Sequence, residues 1–300
     1  MSSELSGPVV VGYHADASGH DALALGRLLA ATLQVPLVVA KIYAAPAELG
    51  IGRVDAEWVS DRRAESQRTL DDARARLGSQ SPEHGVEFRL VPAPSAARGL
   101  SELARELDAS VIVVGSAETE GYAGGRVLAG STASRLLSGA ETPVAVAPRG
   151  YAGQPPAPVL RVAVAYQDTE EGRLAAEVAA DLTRRARGEL TLLTALAEEN
   201  STVPWLVGVD AQNAFAATAR ESFTAALEAA AQRLAPELGT TPATRLLVGD
   251  VVDRLAEAEA DLMVVGSRGY GPVRLVLLGG LSSRLVRRAT MPLLVTPRPE

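Results

Sequence analysis

The 300-residue chain repeats one pattern of short apolar strands and amphipathic helices, and this repeat constrains the fold more than any other feature. Three runs of the first half recur in the second half in the same order: 9–13 at 162–166, 111–115 at 262–266, and 143–149 at 292–298. The sequence therefore predicts two copies of one domain, at 1–149 and 159–300. The segment 150–158 is rich in proline and glycine, lacks apolar periodicity and is predicted to be a linker.

Each copy alternates segments typical of strands with segments typical of helices. The run 111–115 predicts a buried parallel strand, because four β-branched residues are followed directly by a glycine. Just before it, Leu100, Leu103 and Leu107 repeat at helical spacing. Five strands joined through helices predict an α/β fold in each copy, a five-stranded parallel sheet with helices on both faces.

Composition limits the classes of function. Hydrophobic residues make up 47% of the chain and charged residues 22%, as in folded globular proteins. The net charge of −7 argues against general binding of nucleic acid or an anionic membrane. The chain has no cysteine, which excludes thiolate metal sites, and no apolar run approaches the roughly 20 residues of a membrane span. We expect a cytoplasmic protein without a signal peptide.

A glycine-bearing loop follows the strand 262–266 of the second copy, with the spacing Gly266-x2-Gly269-x9-Gly279. A strand, a glycine loop and a helix N-terminus together favour phosphate, because free backbone N–H groups and the helix dipole attract an anion. The spacing matches neither the Walker loop nor the dinucleotide fingerprint. The alternative is that these glycines only make a tight turn between the strand and the next helix.

The loop of the first copy is less regular. Gly130-Ser131-Thr132 keeps the end of the motif, but Gly115 is followed by a segment that contains Glu118 and Glu120. Two carboxylates in a phosphate loop would repel a polyphosphate. The sequence therefore favours the second copy as the main ligand site.

These motifs resemble those of a tandem universal stress protein, and the resemblance covers nearly all of both halves. It is carried by the loop Gly266-x2-Gly269-x9-Gly279, the step Gly249-Asp250 and the run 260–269. The resemblance implies two Rossmann-like domains of the adenine nucleotide alpha hydrolase type. It also implies binding of ATP, ADP or AMP, with or without Mg²⁺, at the carboxyl edge of the sheet.

The same resemblance implies that the two domains pair through their last strands, 144–147 against 293–296. It leaves open whether two tandem chains then form a homodimer. Two departures from the family pattern concern the ligand. His14 and Gln167 stand where nucleotide-binding members have an aspartate after the first strand, and Gly280 replaces the serine or threonine of the loop.

The resemblance implies a set of nucleotide-contacting residues at the carboxyl edge of each copy. In the second copy they are Ala165, Tyr166, Gln167, Ala195, Gly249, Gly266, Ser267, Gly269, Gly279, Gly280, Leu281 and Ser282. In the first copy they are Gly115, Gly130, Ser131 and Thr132.

No catalytic residue is predicted, since no serine, carboxylate pair or histidine is placed for acid–base or nucleophilic chemistry. His14, Asp16, His20 and Asp21 offer a metal site or, as we favour, a solvated loop and a helix cap.

The family points to a stress-response regulator that acts through an unknown protein partner. The alternatives are an interaction module of the same fold that binds no nucleotide and an enzyme such as an ATP pyrophosphatase or electron-transfer flavoprotein. The Ser-Gly-Gly loop that a pyrophosphatase needs is absent after the first strand.

Overall fold

The computed structural model of the protein describes residues 5–43, 56–78, 83–116, 131–153, 160–197, 209–267, 284–285 and 288–298. The first half contains β1 (Val9–Gly12), α1 (Ala17–Leu33), β2 (Leu37–Tyr43), α2 (Ala56–Leu77), β3 (Val86–Pro92), α3 (Ala96–Glu106), β4 (Val111–Gly115), α4 (Ser131–Gly139) and β5 (Val144–Ala147). The second half contains β6 (Arg161–Ala165), α5 (Glu170–Ala186), β7 (Glu189–Leu196), α6 (Val209–Leu238), β8 (Ala243–Val248), α7 (Val251–Ala256), β9 (Leu262–Gly266) and β10 (Leu293–Thr296).

The ten strands form one continuous sheet in the order β3-β2-β1-β4-β5-β10-β9-β6-β7-β8. All pairs within each half are parallel, which confirms the predicted five-stranded parallel sheets. The halves join where β5 and β10 pair antiparallel, with Ala145 opposite Leu294. The predicted pairing of the last strands is thus confirmed, and it leaves β3 and β8 as the outer strands.

Helices cover both faces of the sheet. Strand residues alternate between the faces, so that Val9 and Val11 pack under α1 while Val10 packs toward α3. Helices α1, α2, α5 and α6 share one face, and α3, α4 and α7 share the other. The core on the α1 face contains residues of both halves, so the two copies are packed together as well as paired.

Two polar contacts bind the halves on that face. Asp181 of α5 is only 4% exposed, and its carboxylate accepts hydrogen bonds from Arg184 and Arg185. Arg185 also donates to the carbonyl oxygen of Leu33 at the end of α1, at 3.0 Å. The backbone amide of Leu5 donates to Asp181 at 3.4 Å, so this carboxylate gathers groups from both copies.

The first residues of the predicted linker are held against α1. Tyr151–Gly153 form a short 3-10 turn. Asp21, which is 2% exposed, accepts hydrogen bonds from the amides of Gly150 and Ala152, both at 2.8 Å. Among the helices in the described parts of the chain, none has the length and apolarity needed to cross a membrane.

Candidate functional site

A cavity of about 260 Å³ lies in the first half at the carboxyl ends of β1 and β4. Strands β2 and β3 lie on one side of β1, whereas β4 and β5 lie on its other side. The strand order therefore reverses between β1 and β4. Open parallel sheets bind ligands in the crevice at such a switch point. The predicted residues Gly115, Ser131 and Thr132 line this cavity, whereas Gly130 lies outside the described residues.

One wall of the cavity is apolar. Its side chains come from β2, α3 and β4, namely Ala40, Ile42, Ala96, Leu100 and Val114. Ala40 and Ile42 are two residues apart on β2 and therefore face the same side of the sheet. Apolar walls with a few placed polar groups are typical of small-molecule sites, and this wall suits a flat, weakly polar ring.

The cavity also has polar lining residues, and these include the start of α4. Ser131 and Thr132 begin this nine-residue helix. The first amides of an α-helix have no partner within the helix, and the dipole places positive potential at that end. The start of α4 therefore offers N–H groups and hydroxyls to an anionic group of a ligand.

Gly115 brings the end of β4 into close approach with α1. A Cβ at this position would lie 2.1 Å from the carbonyl oxygen of Ser18. Because this neighbour is backbone, no larger residue fits without a shift of the helix. The glycine that the sequence identified as part of a phosphate loop also has a packing role in this half.

His14 and Lys41 form a pair at the rim of the cavity. Lys41 Nζ lies 3.0 Å from His14 Nδ1, and His14 is a lining residue. Burial, followed by the charge of Lys41, lowers the pKa of His14. Burial also lowers the pKa of Lys41, although the carboxylates of Glu65 and Asp16 act in the opposite direction. Both shifts favour the neutral forms of the two groups.

The four residues considered as a metal site have separate partners. Asp16 caps α1 by accepting a hydrogen bond from the amide of Gly19 at 2.7 Å; it is one of the two caps that the sequence offered, the other being Ser18. Asp21 holds the 3-10 turn described above. His20 lies 3.5 Å from Asp72 of α2. Within the described residues, no group of three or more histidines and carboxylates is arranged to hold a metal ion.

A buried tyrosine follows the first strand of each half. Tyr13 lines the cavity, but its side chain packs on the face of the sheet opposite the apolar wall. Tyr13 and Tyr166 are each 1% exposed and belong to the core on the α1 face. The phenol of Tyr13 donates to Asp72, and burial first, then this hydrogen bond, raise the pKa of Tyr13. The phenol of Tyr166 donates to Asp168 at 3.0 Å and accepts from Arg233 at 3.2 Å.

The backbone of Tyr166 is also occupied. Its amide donates to the carbonyl oxygen of Leu193 at 2.8 Å, and its carbonyl accepts from the hydroxyl of Thr194 at 2.8 Å. Tyr166 was predicted to contact the nucleotide, but its side chain lies in the core. The alternation of Val162, Val164 and Tyr166 with two alanines was the sequence signal for its direction.

The described site residues of the second half lie at the same edge of the sheet. Ala165 ends β6 and Gly266 ends β9, and these two strands are neighbours. Gln167 follows β6, Ser267 follows β9, and Ala195 is near the end of β7. Gly269, Gly279, Gly280, Leu281 and Ser282 lie outside the described residues.

Gly249 lies apart from this group. It follows β8, which is three strands from β9 and hence roughly 14 Å away at the usual strand spacing. Gly249 has a φ of +133°, a value that L-residues rarely adopt. Asp250 then caps α7 by accepting hydrogen bonds from the amides of Val252 and Asp253, both at 3.0 Å. In the structure, the Gly-Asp step is the start of a helix.

A doubly wound parallel sheet with a cavity at its switch point defines a Rossmann-like class of α/β protein. Within that class, the family model for the universal stress protein family matches residues 6–148 and again residues 159–297, so the chain belongs to the universal stress protein family. Universal stress proteins of Mycobacterium tuberculosis and Mycobacterium bovis are each 29% identical to it over 306 aligned residues, covering 96% of this chain and 99% of theirs.

Solved structures agree with the fold. A universal stress protein from Archaeoglobus fulgidus has a TM-score of 0.62 at 16% identity, covering 100% of this chain and 99% of its own. A universal stress protein structure from Pseudomonas aeruginosa has a TM-score of 0.60 at 16% identity, covering 99% of this chain and 95% of its own. These likenesses extend across both halves.

Proposed function

We propose that the chain binds an adenine nucleotide (ATP, ADP or AMP) at the carboxyl edge of its sheet and acts as a non-catalytic regulator in a stress response. Nucleotide binding would change the interaction of the chain with a protein partner. The observation that carries this proposal is the switch-point cavity of the first half, which is lined by both an apolar wall and a helix N-terminus.

The apolar and polar lining residues suit the two parts of a nucleotide. The wall formed by Ala40, Ile42 and Leu100 would contact the adenine ring, and the start of α4 at Ser131 and Thr132 would receive the phosphates. Mg²⁺ usually binds nucleotide phosphates with few protein ligands and keeps several waters. We therefore assign any Mg²⁺ to the phosphates and not to a dedicated set of carboxylates.

We assign the tighter of two sites to the second half. This rests on its intact spacing Gly266-x2-Gly269-x9-Gly279 and on the two glutamates, Glu118 and Glu120, in the loop of the first half. The described frame is compatible with a second site, because Ala165 and Gly266 end neighbouring strands at the equivalent switch point.

Calorimetric titration of MgATP into the full-length chain tests the proposal. We expect a micromolar to submillimolar site that is lost in the double variant Gly266→Val/Gly269→Arg.

The first-half site is tested by Ser131→Glu, which places a carboxylate at the start of α4 and should weaken nucleotide binding there at least about tenfold by repulsion. The new charge favours the helix dipole, so the fold should be retained.

Ser138→Glu is the matched control for that variant. It makes the same change at an exposed position near the other end of α4, and nucleotide affinity should remain at the wild-type level. Equal loss of binding in Ser131→Glu and Ser138→Glu would argue against the first-half site.

The second candidate is an interaction module of the same fold that binds no nucleotide. It is favoured by His14 and Gln167, which replace the family aspartate, and by the hydrogen bond that His14 already makes with Lys41. Loss of a charged acceptor costs about 1.5–3 kcal/mol, roughly ten- to a hundredfold in affinity. No heat and no thermal shift at millimolar MgATP would establish this candidate over the first.

A further inference from the structure

The outer strand β3 of the first half has one side that pairs with β2 and one side that pairs with no other strand of the described chain. None of its seven residues is fully buried. Val86, Phe88 and Leu90 pack against the core on the α1 face but stay partly exposed. A strand edge of this kind is a template for pairing with another strand.

The register of β3 against β2 shows which backbone groups point away from the sheet. The amide of Leu37 on β2 donates to the carbonyl oxygen of Gly85 at 3.1 Å, and Leu37 lies beside Val86. In a parallel ladder, the residues of a strand alternate between facing the neighbouring strand and facing away from it. The odd-numbered residues of β3 therefore bond to β2, and the N–H and C=O groups of Val86, Phe88 and Leu90 point outward.

The charges of β3 are complementary to those of a second copy of the same strand. When two copies run antiparallel about a two-fold axis at Phe88, Glu87 of each copy lies opposite Arg89 of the other. Within one chain, Arg89 already pairs with Glu87 at 2.5 Å and with Glu106 of α3 at 3.5 Å. An axis at Glu87 or at Arg89 would instead set like charges opposite each other, so the charges favour the axis at Phe88.

We propose that β3 is a homodimer interface, at which two copies of the chain pair antiparallel about Phe88. Each Phe88 exchanges two hydrogen bonds with its counterpart, and each Val86 exchanges two with Leu90 of the other copy, because these residues carry the outward groups. The ladder ends after Leu90, since Pro92 has no N–H to donate. This interface goes beyond nucleotide binding and does not depend on it.

The outer strand of the second half lacks this complementarity. Arg245 is the only charged residue of β8, so no antiparallel register of two β8 strands sets a carboxylate opposite it. Unmatched charges of this kind protect sheet edges from pairing. Contacts between β3 of one molecule and β8 of the next would give open chains of molecules, whereas pairing of β3 with itself closes at two copies. We therefore expect a dimer through the first half.

Sedimentation velocity of the full-length chain, from micromolar to submillimolar concentration, tests the proposal. A single pair of strands makes a small interface, so we expect a dimer with a Kd in roughly the micromolar range. Glu87→Arg and Arg89→Glu each set like charges opposite one another at two places, and each should weaken the dimer at least about tenfold. An equimolar mixture of the two variants should associate again, because unlike charges then face each other.

Single cysteines test the register, since the chain has no cysteine of its own. Phe88→Cys sets the new thiol opposite its counterpart, with Cα atoms about 5.5 Å apart and within disulfide range, so mild oxidation should cross-link two chains. Val86→Cys is the matched control on the same face of the strand. Its counterpart lies more than about 10 Å away, which is too far for a disulfide.

Three results would overturn the proposal. The first is a chain that stays monomeric at submillimolar concentration, and the second is a dimer that both charge variants leave unchanged. The third is equal cross-linking of Phe88→Cys and Val86→Cys, since only an axis at Phe88 distinguishes these two positions.

Discussion

The two halves of the molecule share a frame but differ in their candidate sites. Helices α1 and α5 have the same length of 17 residues, and each is capped by a side chain that binds the amide of a glycine three residues later. The caps are Asp16 and Thr169. The repeat is thus strictest where it builds strands and starts helices, and the divergence is concentrated among residues at the carboxyl edge.

The glycine after the fourth strand of each half illustrates this divergence. A Cβ on Gly115 would lie 2.1 Å from the carbonyl oxygen of Ser18, whereas a Cβ on Gly266 would lie 3.1 Å from that of Glu171. The same motif residue is thus required for packing in the first half, while the second half has more space around it. Extra space at this point is compatible with a ligand-binding role for the second glycine loop.

Other differences alter the polarity of the edge. His14 and Lys41 of the first half correspond to Gln167 and Thr194 of the second. Lys41 contacts the side chain of His14, whereas the hydroxyl of Thr194 donates to the carbonyl oxygen of Tyr166. Helix α3 has 11 residues and α7 has six. The repeat therefore preserves the fold, while the described residues at the two carboxyl edges differ.

The largest expected effect comes from breaking the contact that joins the halves. Asp181→Ala removes the acceptor of Arg184, Arg185 and the amide of Leu5. Loss of this buried carboxylate, which pairs with two partly exposed arginines, should lower the free energy of unfolding by about 3 kcal/mol, measured by urea denaturation.

The control for this variant is Glu177→Ala on the exposed side of the same helix, which should change stability by less than about 0.5 kcal/mol. If the two halves unfold as one unit because of this contact, Asp181→Ala should also separate the transition into two steps. A variant as stable as Glu177→Ala would show that strand pairing and the shared apolar core hold the halves together without this contact.

Alanine at the two equivalent glycines compares the tightness of the sites directly. Gly115→Ala should destabilise the protein by about 2–3 kcal/mol, because the new Cβ meets a backbone oxygen that cannot move independently. Gly266→Ala should cost less than about 1 kcal/mol, since a shift of a few tenths of an ångström relieves its contact. Thermal unfolding of the two variants shows which one loses more stability. Equal losses of stability would contradict the difference in space around the two glycines.

The helix caps test the shared frame. Asp16→Ala and Thr169→Ala each remove a side-chain acceptor from the first turn of an equivalent helix, and each should cost about 1 kcal/mol. Urea denaturation of the two single variants and of the double variant measures this. Equal losses of stability in the single variants that sum in the double variant would support an equivalent capping role in both halves. A loss of stability in one half alone would contradict it.

The frame was predictable because it depends on local patterns. Runs of β-branched residues ended by glycine predicted β4 with its observed bounds, and the recurrence of 143–149 at 292–298 located the two strands that pair at the junction. The start of α1 was predictable from Asp16, since capping involves neighbours in sequence.

The candidate site was less predictable because its contacts join distant residues. Lys41 and His14 are 27 residues apart and meet only because β1 and β2 are neighbours. The partner of Arg185 at Leu33 is 152 residues away, in the other copy. Spacing also could not show that Gly249 lies three strands from Gly266. These facts depend on strand order and side-chain direction.

The smallest expected effect concerns pH and the residue that most distinguishes the two edges. His14→Gln gives the first half the residue that the second half has at Gln167. Since the pKa of His14 is lowered in the folded protein, the unfolded chain binds a proton first as the pH falls. The contribution of His14 to stability is therefore present above its ordinary pKa of 6.5 and is lost as the pH falls below it. The ring of His14 is partly desolvated, but the residue as a whole keeps a large exposed surface, so solvent screening should hold this loss below about 1 kcal/mol. Urea denaturation of wild type and His14→Gln at pH 7.5 and 5.5 measures it, and the variant should lose less stability between the two pH values. An equal loss in both proteins would mean that protonation of His14 does not differ between the folded and unfolded chains, and the contrast between the two edges would then rest on Lys41 and on the space around Gly115 and Gly266.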